Sequence, residues 1–294
     1  MTNKLKSILA FTFLMTGCAL VSIGGHKRSP TIPANNAQYA KTAVMITEES
    51  ERSGGTGVIL DSNPGVSHIL TNKHVCGLVQ VGGKVITDSG KRYPVDAYRV
   101  YSKHDLCLIE VNADLGVNIK VAESAPEEYE TSIVVGHPAL LPTMITVGHF
   151  SKAQIINLMV GLKECDGTEE GEDALMCMFI GGKPIIKTFQ AQATSSLIMP
   201  GSSGSAVYNT KGELSGLIFA GRQNLSYGYL VPWEYVNDFL KNKRNYKLEN
   251  PNPSQVPRNF FTSYFKLQDL CNGKDITNVP SLCKTIARLG IWRQ

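Results

Sequence analysis

Short β-prone runs separated by turn residues dominate the first half of the body of the chain. The 27 glycines and 14 prolines of the sequence are scattered rather than clustered, a composition that suits many short strands joined by turns. One pair of runs flanks a turn at residues 88–91 and has the alternation of a hairpin. The runs cover residues 43–46, 54–60, 68–70, 84–87 and 93–100. The sequence therefore predicts an all-β fold.

Length and charge exclude several classes of protein. A chain of 294 residues that is 43% hydrophobic and 18% charged can build two compact units with cores, and it is not a disordered protein. The formal net charge is +4 and falls to +2 without the two lysines of the N-terminal leader. So small a charge gives no reason to expect nucleic acid as a partner.

Residues 1–17 have the pattern of a secretory signal peptide. Lys4 and Lys6 precede an apolar run at 8–15, which ends in small residues before Cys18. This ending resembles the cleavage box of bacterial lipoproteins, which implies that Cys18 becomes the lipidated first residue. The alternative is an uncleaved anchor, because residues 8–25 approach the roughly 18 to 20 residues that span a bilayer. We expect an exported, membrane-anchored lipoprotein facing the periplasm or cell exterior, with residues 18–39 as a tether.

Three stretches carry the residue types that nucleophilic catalysis requires. Ser203 lies between Gly201 and Gly204, and glycines permit a tight turn whose backbone N–H groups converge on negative charge. His74 follows a β-prone run, and an imidazole can take the serine proton and return it to the leaving group. Asp105 begins an apolar strand, where a carboxylate can fix an imidazole tautomer. Taken singly, these are also ordinary features: a solvated turn, a surface histidine and a strand-start aspartate.

The order of these residues and the sequences around them resemble the trypsin-like peptidases, most closely the bacterial Deg-type branch. The order histidine, aspartate, serine is that of the chymotrypsin-type triad. The similar blocks extend over roughly residues 40 to 243 and occur in the family's order. They are TNKHV at 71–75, HDLCLI at 104–109, VVGHP at 134–138, VGHFS at 147–151, PGSSGS at 200–205, KGELSGLI at 211–218 and YGYLVP at 227–232.

This resemblance implies a fold, a mechanism and a function. The fold is a pair of antiparallel β-barrels of chymotrypsin type, at residues 40–125 and 126–245, with a closing C-terminal helix and the active site between the barrels. Ser203 is the nucleophile and forms an acyl-enzyme, His74 is the general base and then acid, and Asp105 orients His74. The N–H groups of Gly201 and Ser203 form the oxyanion hole. The implied function is an exported serine endopeptidase that acts on proteins or peptides without a cofactor.

The same resemblance implies a specificity pocket, and the chain departs from the family pattern at two points. The pocket is lined by Leu197, Phe219, Gly221 and Tyr229. Because no carboxylate falls at Leu197, we expect a preference for an apolar side chain rather than for Lys or Arg. Ser202 stands where activated trypsin-type enzymes have an aspartate, so no zymogen cut of that kind is expected. Residues 246–294 form an extension too short for the PDZ domain that Deg-type enzymes usually carry.

The cysteines predict disulfides. Six remain beyond Cys18, an even number that favours pairing in an exported chain, although six cysteines allow fifteen arrangements. Two pairs each bracket a short polar loop, and in the third each cysteine lies two residues beyond a member of the implied triad. The expected pairs are Cys76–Cys107, Cys165–Cys177 and Cys271–Cys283. The acidic loop at 166–173 lacks calcium-binding spacing and no zinc motif occurs, so no metal is predicted.

Two other functions compete with the endopeptidase hypothesis. A catalytically silent relative could bind peptides or partner proteins through the same cleft, and the intact triad counts against it. A serine esterase is the third possibility. The chain order of the triad and the lack of alternating strands and helices argue against an α/β-hydrolase.

Overall fold

Strands of the chain form two antiparallel sheets of seven strands each in the computed structural model. The structure describes residues 36–80, 82–163, 165, 167–168, 177, 182–222 and 227–252, all of which belong to one compact unit beginning at residue 32. The leader with Cys18 and the pair Cys271–Cys283 lie outside the described residues. The predicted all-β fold is confirmed.

The first sheet is built from the strands that precede residue 112. Its order is β5-β4-β1-β2-β3-β7-β6, so its two edge strands follow each other in the chain. Only residues 95 and 96 separate those edges, which curls the sheet towards a barrel. A short helix, α1 (Asn36–Ala40), precedes it, and α2 (Lys73–Val79) follows β3. The strands are β1 (Ala43–Thr47), β2 (Gly54–Asn63), β3 (Val66–Thr71), β4 (Lys84–Thr87), β5 (Arg92–Pro94), β6 (Ala97–Val100) and β7 (Cys107–Val111).

The second sheet contains the remaining strands and leads into a helix. Its order is β10-β11-β14-β13-β12-β8-β9, and its edges β9 and β10 are again consecutive in the chain. The closing helix α3 (Trp233–Lys241) buries Val236 and Phe239, as the predicted C-terminal helix requires. The strands are β8 (Thr131–Gly136), β9 (Met144–His149), β10 (Gln154–Lys163), β11 (Lys183–Thr194), β12 (Ala206–Tyr208), β13 (Leu214–Arg222) and β14 (Tyr227–Val231).

Strands of the first sheet are apolar on both faces because they serve two cores. Ile59 and Ile69 point into the interior of the first sheet. Their chain neighbours Val58 and Leu70 point the other way, into a core shared with the second sheet. Successive side chains of a strand alternate between faces, so a strand buried on both sides reads as a continuous apolar run. The shared core holds the two sheets together and fixes the line along which the site lies.

The chain beyond α3 returns to the first sheet. Glu249 forms an antiparallel bridge with Tyr98, with backbone N–H···O distances of 2.9 and 2.8 Å, and covers the outer edge of β6. The Asn250 side chain donates to the carbonyl of Asp96 at 3.0 Å. The segment after α3 therefore connects the second sheet to the edge of the first. Among the described residues, no helix has the length and apolar character needed to cross a bilayer.

Candidate active site

His74 and Asp105 meet because β3 and β7 pair. Thr71 lies opposite Cys107 in that ladder, so the first turn of α2 faces the residues just before β7. His74 Nδ1 donates to Asp105 Oδ2 at 2.6 Å, and the His74 backbone N–H donates to Oδ1 at 3.1 Å. Asp105 is 4% exposed, and its carbonyl accepts a hydrogen bond from the Asn72 side chain at 3.0 Å. A carboxylate cannot donate, so the proton is on Nδ1 of the neutral ring and the lone pair is on Nε2.

The Nε2 atom of His74 is buried and has no hydrogen-bond partner within the part of the chain that the structure describes. Buried polar atoms are nearly always paired, and an exception calls for an explanation. Here the unpaired atom is the one that a general base presents to a nucleophile. The Oγ–Nε2 hydrogen bond is not formed in this structure, and such bonds in ligand-free enzymes often tighten only when substrate binds.

Ser203 lies on a tight turn that depends on two glycines. Gly201 has φ of 90° and Gly204 has φ of 87°, values that side chains with a Cβ rarely adopt. A Cβ at Gly204 would stand 1.8 Å from the carbonyl oxygen of Thr56. Ser203 itself is buried, and the Gly204 N–H donates to the carbonyl of Ile218 at 2.8 Å. The turn is therefore pressed against both sheets.

Backbone hydrogen bonds set the direction of the two N–H groups predicted for the oxyanion hole. Within a trans peptide the N–H points opposite to the C=O. The carbonyl of Pro200 accepts from Ala139 N–H, so the Gly201 N–H points away from Ala139. The carbonyl of Ser202 accepts from Ser205 N–H at 2.9 Å, so the Ser203 N–H points away from Ser205. Donors fixed in this way need no reorganisation during a reaction.

Gly55 in β2 joins the nucleophile turn to the helix that carries His74. A Cβ built at Gly55 would lie 2.7 Å from Cγ2 of Val75 and 3.0 Å from the carbonyl oxygen of Ser203. The next residue, Thr56, donates its N–H to that same carbonyl at 2.7 Å. Because Val75 follows His74 directly, the segments of the predicted base and nucleophile both pack against β2 at Gly55.

The residues predicted to line a specificity pocket occupy different environments. Leu197 is 49% exposed on the loop before the nucleophile turn, whereas Tyr229 is buried in β14 opposite Ala220. Gly221 in β13 is buried and pairs with Gly228. Phe219 is fully buried, and its ring packs on His104 and Phe189 with centroid distances of 5.2 and 5.7 Å. The Phe219 side chain thus contributes to the core shared by the sheets.

His104 is a structural neighbour of the site, in a turn and not in the extended backbone that the sequence suggested, because Leu106 N–H donates to its carbonyl at 3.0 Å. Its Nδ1 accepts the Asp105 N–H at 2.8 Å, and its Nε2 donates to the carbonyl of Gln190 at 2.9 Å. The ring packs against Phe189, Phe219 and Tyr235. His104 therefore fixes the backbone of Asp105 against the second sheet. Sequence reasoning gave it no role, and its only signal was its place beside Asp105.

His137 lies beside the nucleophile turn and was also without an assigned role. Its Nδ1 donates to the carbonyl of Leu141 at 3.0 Å. Burial lowers the pKa of His137, and that hydrogen bond and Asp88 oppose the shift in part. A Cβ at Gly201 would stand 2.7 Å from the His137 carbonyl oxygen, so this residue forms one wall of the turn.

The described residues contain two disulfides, and both are predicted pairs. Cys76–Cys107 joins α2 to the first residue of β7, with Cα atoms 6.4 Å apart, and so ties together the elements that carry His74 and Asp105. Cys165–Cys177 joins residues separated by 12 positions, with Cα atoms 6.0 Å apart. Among the described residues, no group of three or more His, Cys, Asp or Glu side chains could hold a metal ion.

Comparison with known proteins agrees with this arrangement. The family described as the trypsin-like peptidase domain matches residues 55–217. Among solved structures, an inactive serine-to-alanine mutant of Rv3671c from M. tuberculosis H37Rv is 17% identical, with a TM-score of 0.53 over 73% of this chain and 94% of that chain. The active form of the Rv3671c protease from M. tuberculosis is also 17% identical, with a TM-score of 0.53 over 70% of this chain and 82% of that chain.

At these identities the structural likeness shows the fold alone, and that fold is the predicted one of chymotrypsin type. The matched family segment covers more than half of the chain and contains the His74, Asp105 and Ser203 positions. The predicted resemblance is confirmed: the chain belongs to the trypsin-like peptidase family and is a serine peptidase.

Proposed function

We propose that the chain is an exported serine endopeptidase that hydrolyses peptide bonds through Ser203, His74 and Asp105. The observation that carries the proposal is the His74–Asp105 hydrogen bond of 2.6 Å, which leaves the buried Nε2 with a lone pair and without a partner among the described residues. The turn of Ser203 is linked to the same strand that packs on the helix of His74. Base, orienting acid and nucleophile are then supplied by residues of this chain.

In the acylation step, Ser203 Oγ attacks the carbonyl carbon of the substrate while its proton moves to His74 Nε2. The N–H groups of Gly201 and Ser203 stabilise the oxyanion that forms. Collapse of the tetrahedral intermediate breaks the C–N bond, and the imidazolium returns its proton to the leaving amine. Asp105 stays ionised and stabilises the imidazolium throughout.

Deacylation repeats this chemistry with water as the nucleophile. His74 Nε2 takes a proton from the water as its oxygen attacks the ester carbonyl carbon, and the same backbone N–H groups stabilise the second oxyanion. Breakage of the ester C–O bond returns that proton to Ser203 Oγ and releases the acid product. The cycle needs only the groups of the chain, the peptide substrate and water.

The experiment that tests the proposal is labelling of the full chain in detergent with a fluorophosphonate probe. We expect label on Ser203 in the parent and none in Ser203→Ala or His74→Ala. The matched control is His68→Ala, because His68 also pairs with an aspartate, Asp61, at 2.6 Å, but outside the site. A folded parent that takes up no label contradicts the proposal and favours the catalytically silent binder.

The substrate preference is a proposal on the same site. Leu197 is half exposed at the predicted pocket and carries no charge, which favours an apolar residue at the cleaved bond. Peptide-library profiling of the parent and of Leu197→Asp tests this idea. We expect the parent to cut after apolar residues and the variant to gain cleavage after Lys or Arg. An unchanged profile would remove Leu197 from the pocket.

Export and lipidation at Cys18 are proposed from the leader alone. Acylation of one cysteine adds a hydrocarbon chain whose burial in the bilayer is favourable by about 0.8 kcal/mol for each CH₂ group. We expect intact-mass analysis of the membrane fraction to show a lipidated chain that begins at Cys18. Cys18→Ala should remove the lipid and block this processing. A parent that keeps its leader would instead support the uncleaved anchor.

A further inference from the structure

Thr56, in the first sheet, makes hydrogen bonds with every polar atom it has. Its side chain is fully buried. Its N–H donates to the carbonyl of Ser203 at 2.7 Å, and its own carbonyl accepts from Thr71 Oγ1 at 2.6 Å. Its hydroxyl donates to the carbonyl of Gly201 at 2.9 Å and accepts from the N–H of His137 at 2.9 Å. Three of these four bonds reach residues that belong to the second sheet or the nucleophile turn.

The hydroxyl makes the contacts that the backbone of Thr56 cannot make. The bonds to Ser203 and Thr71 use main-chain atoms and would persist with any side chain at this position. Among the described residues, Thr56 Oγ1 is the one hydrogen-bond donor to the carbonyl of Gly201. A glycine has wide backbone freedom, so the peptides on either side of its Cα need outside contacts to fix their planes. Ala139 N–H holds the peptide before Gly201. The peptide after it is held at its carbonyl by the Thr56 hydroxyl and at the Ser202 N–H by the carbonyl of Met199 at 2.9 Å.

We propose that Thr56 is a positioning residue for the oxyanion hole. Its hydroxyl, braced by the His137 N–H, holds the Gly201 carbonyl and so limits rotation about the Cα of Gly201. With the Pro200 carbonyl held by Ala139, this keeps the Gly201 N–H directed at the oxyanion that forms in the transition state. The inference rests on the proposed function of Ser203 and Gly201. It makes the geometry of the nucleophile turn, which belongs to the second sheet, depend on a side chain of the first sheet.

The test replaces the hydroxyl without changing the shape of the side chain. In Thr56→Val a methyl group takes the place of Oγ1, and the Gly201 carbonyl and the His137 N–H both lose their partner. Removal of an oxyanion donor lowers kcat by roughly 100- to 1,000-fold, so a donor that is kept but badly aimed should cost about 10- to 100-fold. The oxyanion exists only in the transition state, so KM should stay nearly constant.

Two further variants separate positioning from loss of stability. Thr56→Ser restores the hydroxyl and should recover most of kcat. Thr42→Val is the matched control, because the buried Thr42 hydroxyl also donates to a carbonyl, that of Tyr39, and accepts from the hydroxyl of Tyr208, both at 2.7 Å. It lies outside the site, and we expect its kcat to match the parent's even if its urea midpoint falls as far as that of Thr56→Val.

The measurement is steady-state cleavage of a fluorogenic peptide amide with an apolar residue at the cleaved bond, using the full chain in detergent. A low kcat in Thr56→Val, with KM unchanged and rescue by serine, supports the inference. An unchanged kcat in Thr56→Val, or an equal fall in Thr42→Val, overturns it while leaving the peptidase intact. A parent no faster than Ser203→Ala overturns the proposed function and this inference with it.

Discussion

Removal of the Cys76–Cys107 disulfide should lower stability far more than it lowers turnover. The bond closes a loop over a sequence separation of 31 residues, and both cysteines are fully buried. In the chain-entropy account, closing a loop of that size lowers the conformational entropy of the unfolded chain and so stabilises the fold by about 3.7 kcal/mol at 25 °C. The double variant Cys76→Ala/Cys107→Ala should therefore lose about 3 to 5 kcal/mol of unfolding free energy.

Turnover is expected to survive because other contacts hold the site. The His74 side chain and backbone both bond to the Asp105 carboxylate, and the ladder between β3 and β7 keeps the two segments side by side. Well below its melting temperature, the double variant should therefore cleave peptide at close to the rate of the parent. The assays are urea unfolding followed by Trp fluorescence and steady-state cleavage at low temperature.

The second disulfide supplies the control. Cys165→Ala/Cys177→Ala opens a loop of only 12 residues. In the same account, closure of that loop stabilises the fold by about 2.8 kcal/mol. The two double variants should thus differ by about 0.8 kcal/mol, the first being the less stable. A loss below about 1 kcal/mol for Cys76–Cys107 would refute the loop-closure reasoning. A folded variant without turnover would instead show that the bond itself aligns the base.

Three further predictions concern the turn, a buried histidine and a hydrogen-bonded carboxylate. Gly204→Ala should abolish turnover and unfold more readily than Gly65→Ala, since both have positive φ but only Gly204 has a carbonyl oxygen in the way of a Cβ. Because burial lowers the pKa of His137 below its usual 6.5, the unfolded chain takes up a proton first as pH falls. Stability should drop below pH 6.5 in the parent and less so in His137→Gln, by urea unfolding at each pH. The Tyr101 hydroxyl bond of 2.6 Å is the main cause that lowers the pKa of Asp238, so Tyr101→Phe should raise that pKa. The resulting stability difference should be present near neutral pH and shrink as pH falls through the carboxyl pKa, as titration by NMR and urea unfolding would show.

Local patterns were enough to predict the strands, and the resemblance to the family supplied the pairing of His74 with Asp105. The apolar runs of β2 and β7 and their turn residues mark strands directly, and the order of the triad residues marks the family. The disulfide between Cys76 and Cys107 followed from the same order, since each cysteine lies two residues beyond a triad residue. The strands depend on short stretches of sequence, where alternation and turn chemistry act, whereas the two pairings, each across 31 positions, follow from the resemblance.

The placement of Phe219 could not be read from the sequence. The pairing of β13 with β14 shifts register between Ile218 and Ala220, which marks an irregularity at Phe219 itself. A bulge of this kind changes which face of the sheet later side chains occupy, and a shift of one residue exchanges the two faces. A residue expected at the pocket by position thus has its ring in the core, against His104.

The contacts of Thr56 were equally hidden because their partners are distant in the chain. Its hydroxyl bonds to Gly201, which is 145 residues away. In the sequence, Thr56 is one residue of a glycine-rich run, and nothing in that run distinguishes a positioning residue from an ordinary strand residue. The contact arises only when two sheets, each specified by its own pattern, pack along a shared core.

A histidine paired with an aspartate does not by itself make a catalytic base in this protein. His68 and Asp61 are also 2.6 Å apart, on strands β3 and β2 of the first sheet, whereas His74 and Asp105 flank that sheet in α2 and in the turn before β7. The Asp61 side chain is 34% exposed, however, and the second ring nitrogen of His68 lies 3.9 Å from Glu110. For His74 the acid is buried and the second nitrogen has no partner in the described part of the chain. Burial of the carboxylate strengthens its hydrogen bond to the imidazole ring. The lone pair on Nε2 is available to accept the proton of the serine. The difference between the two pairs thus lies in what each Nε2 atom faces, and comparison of His68→Ala with His74→Ala tests that difference directly.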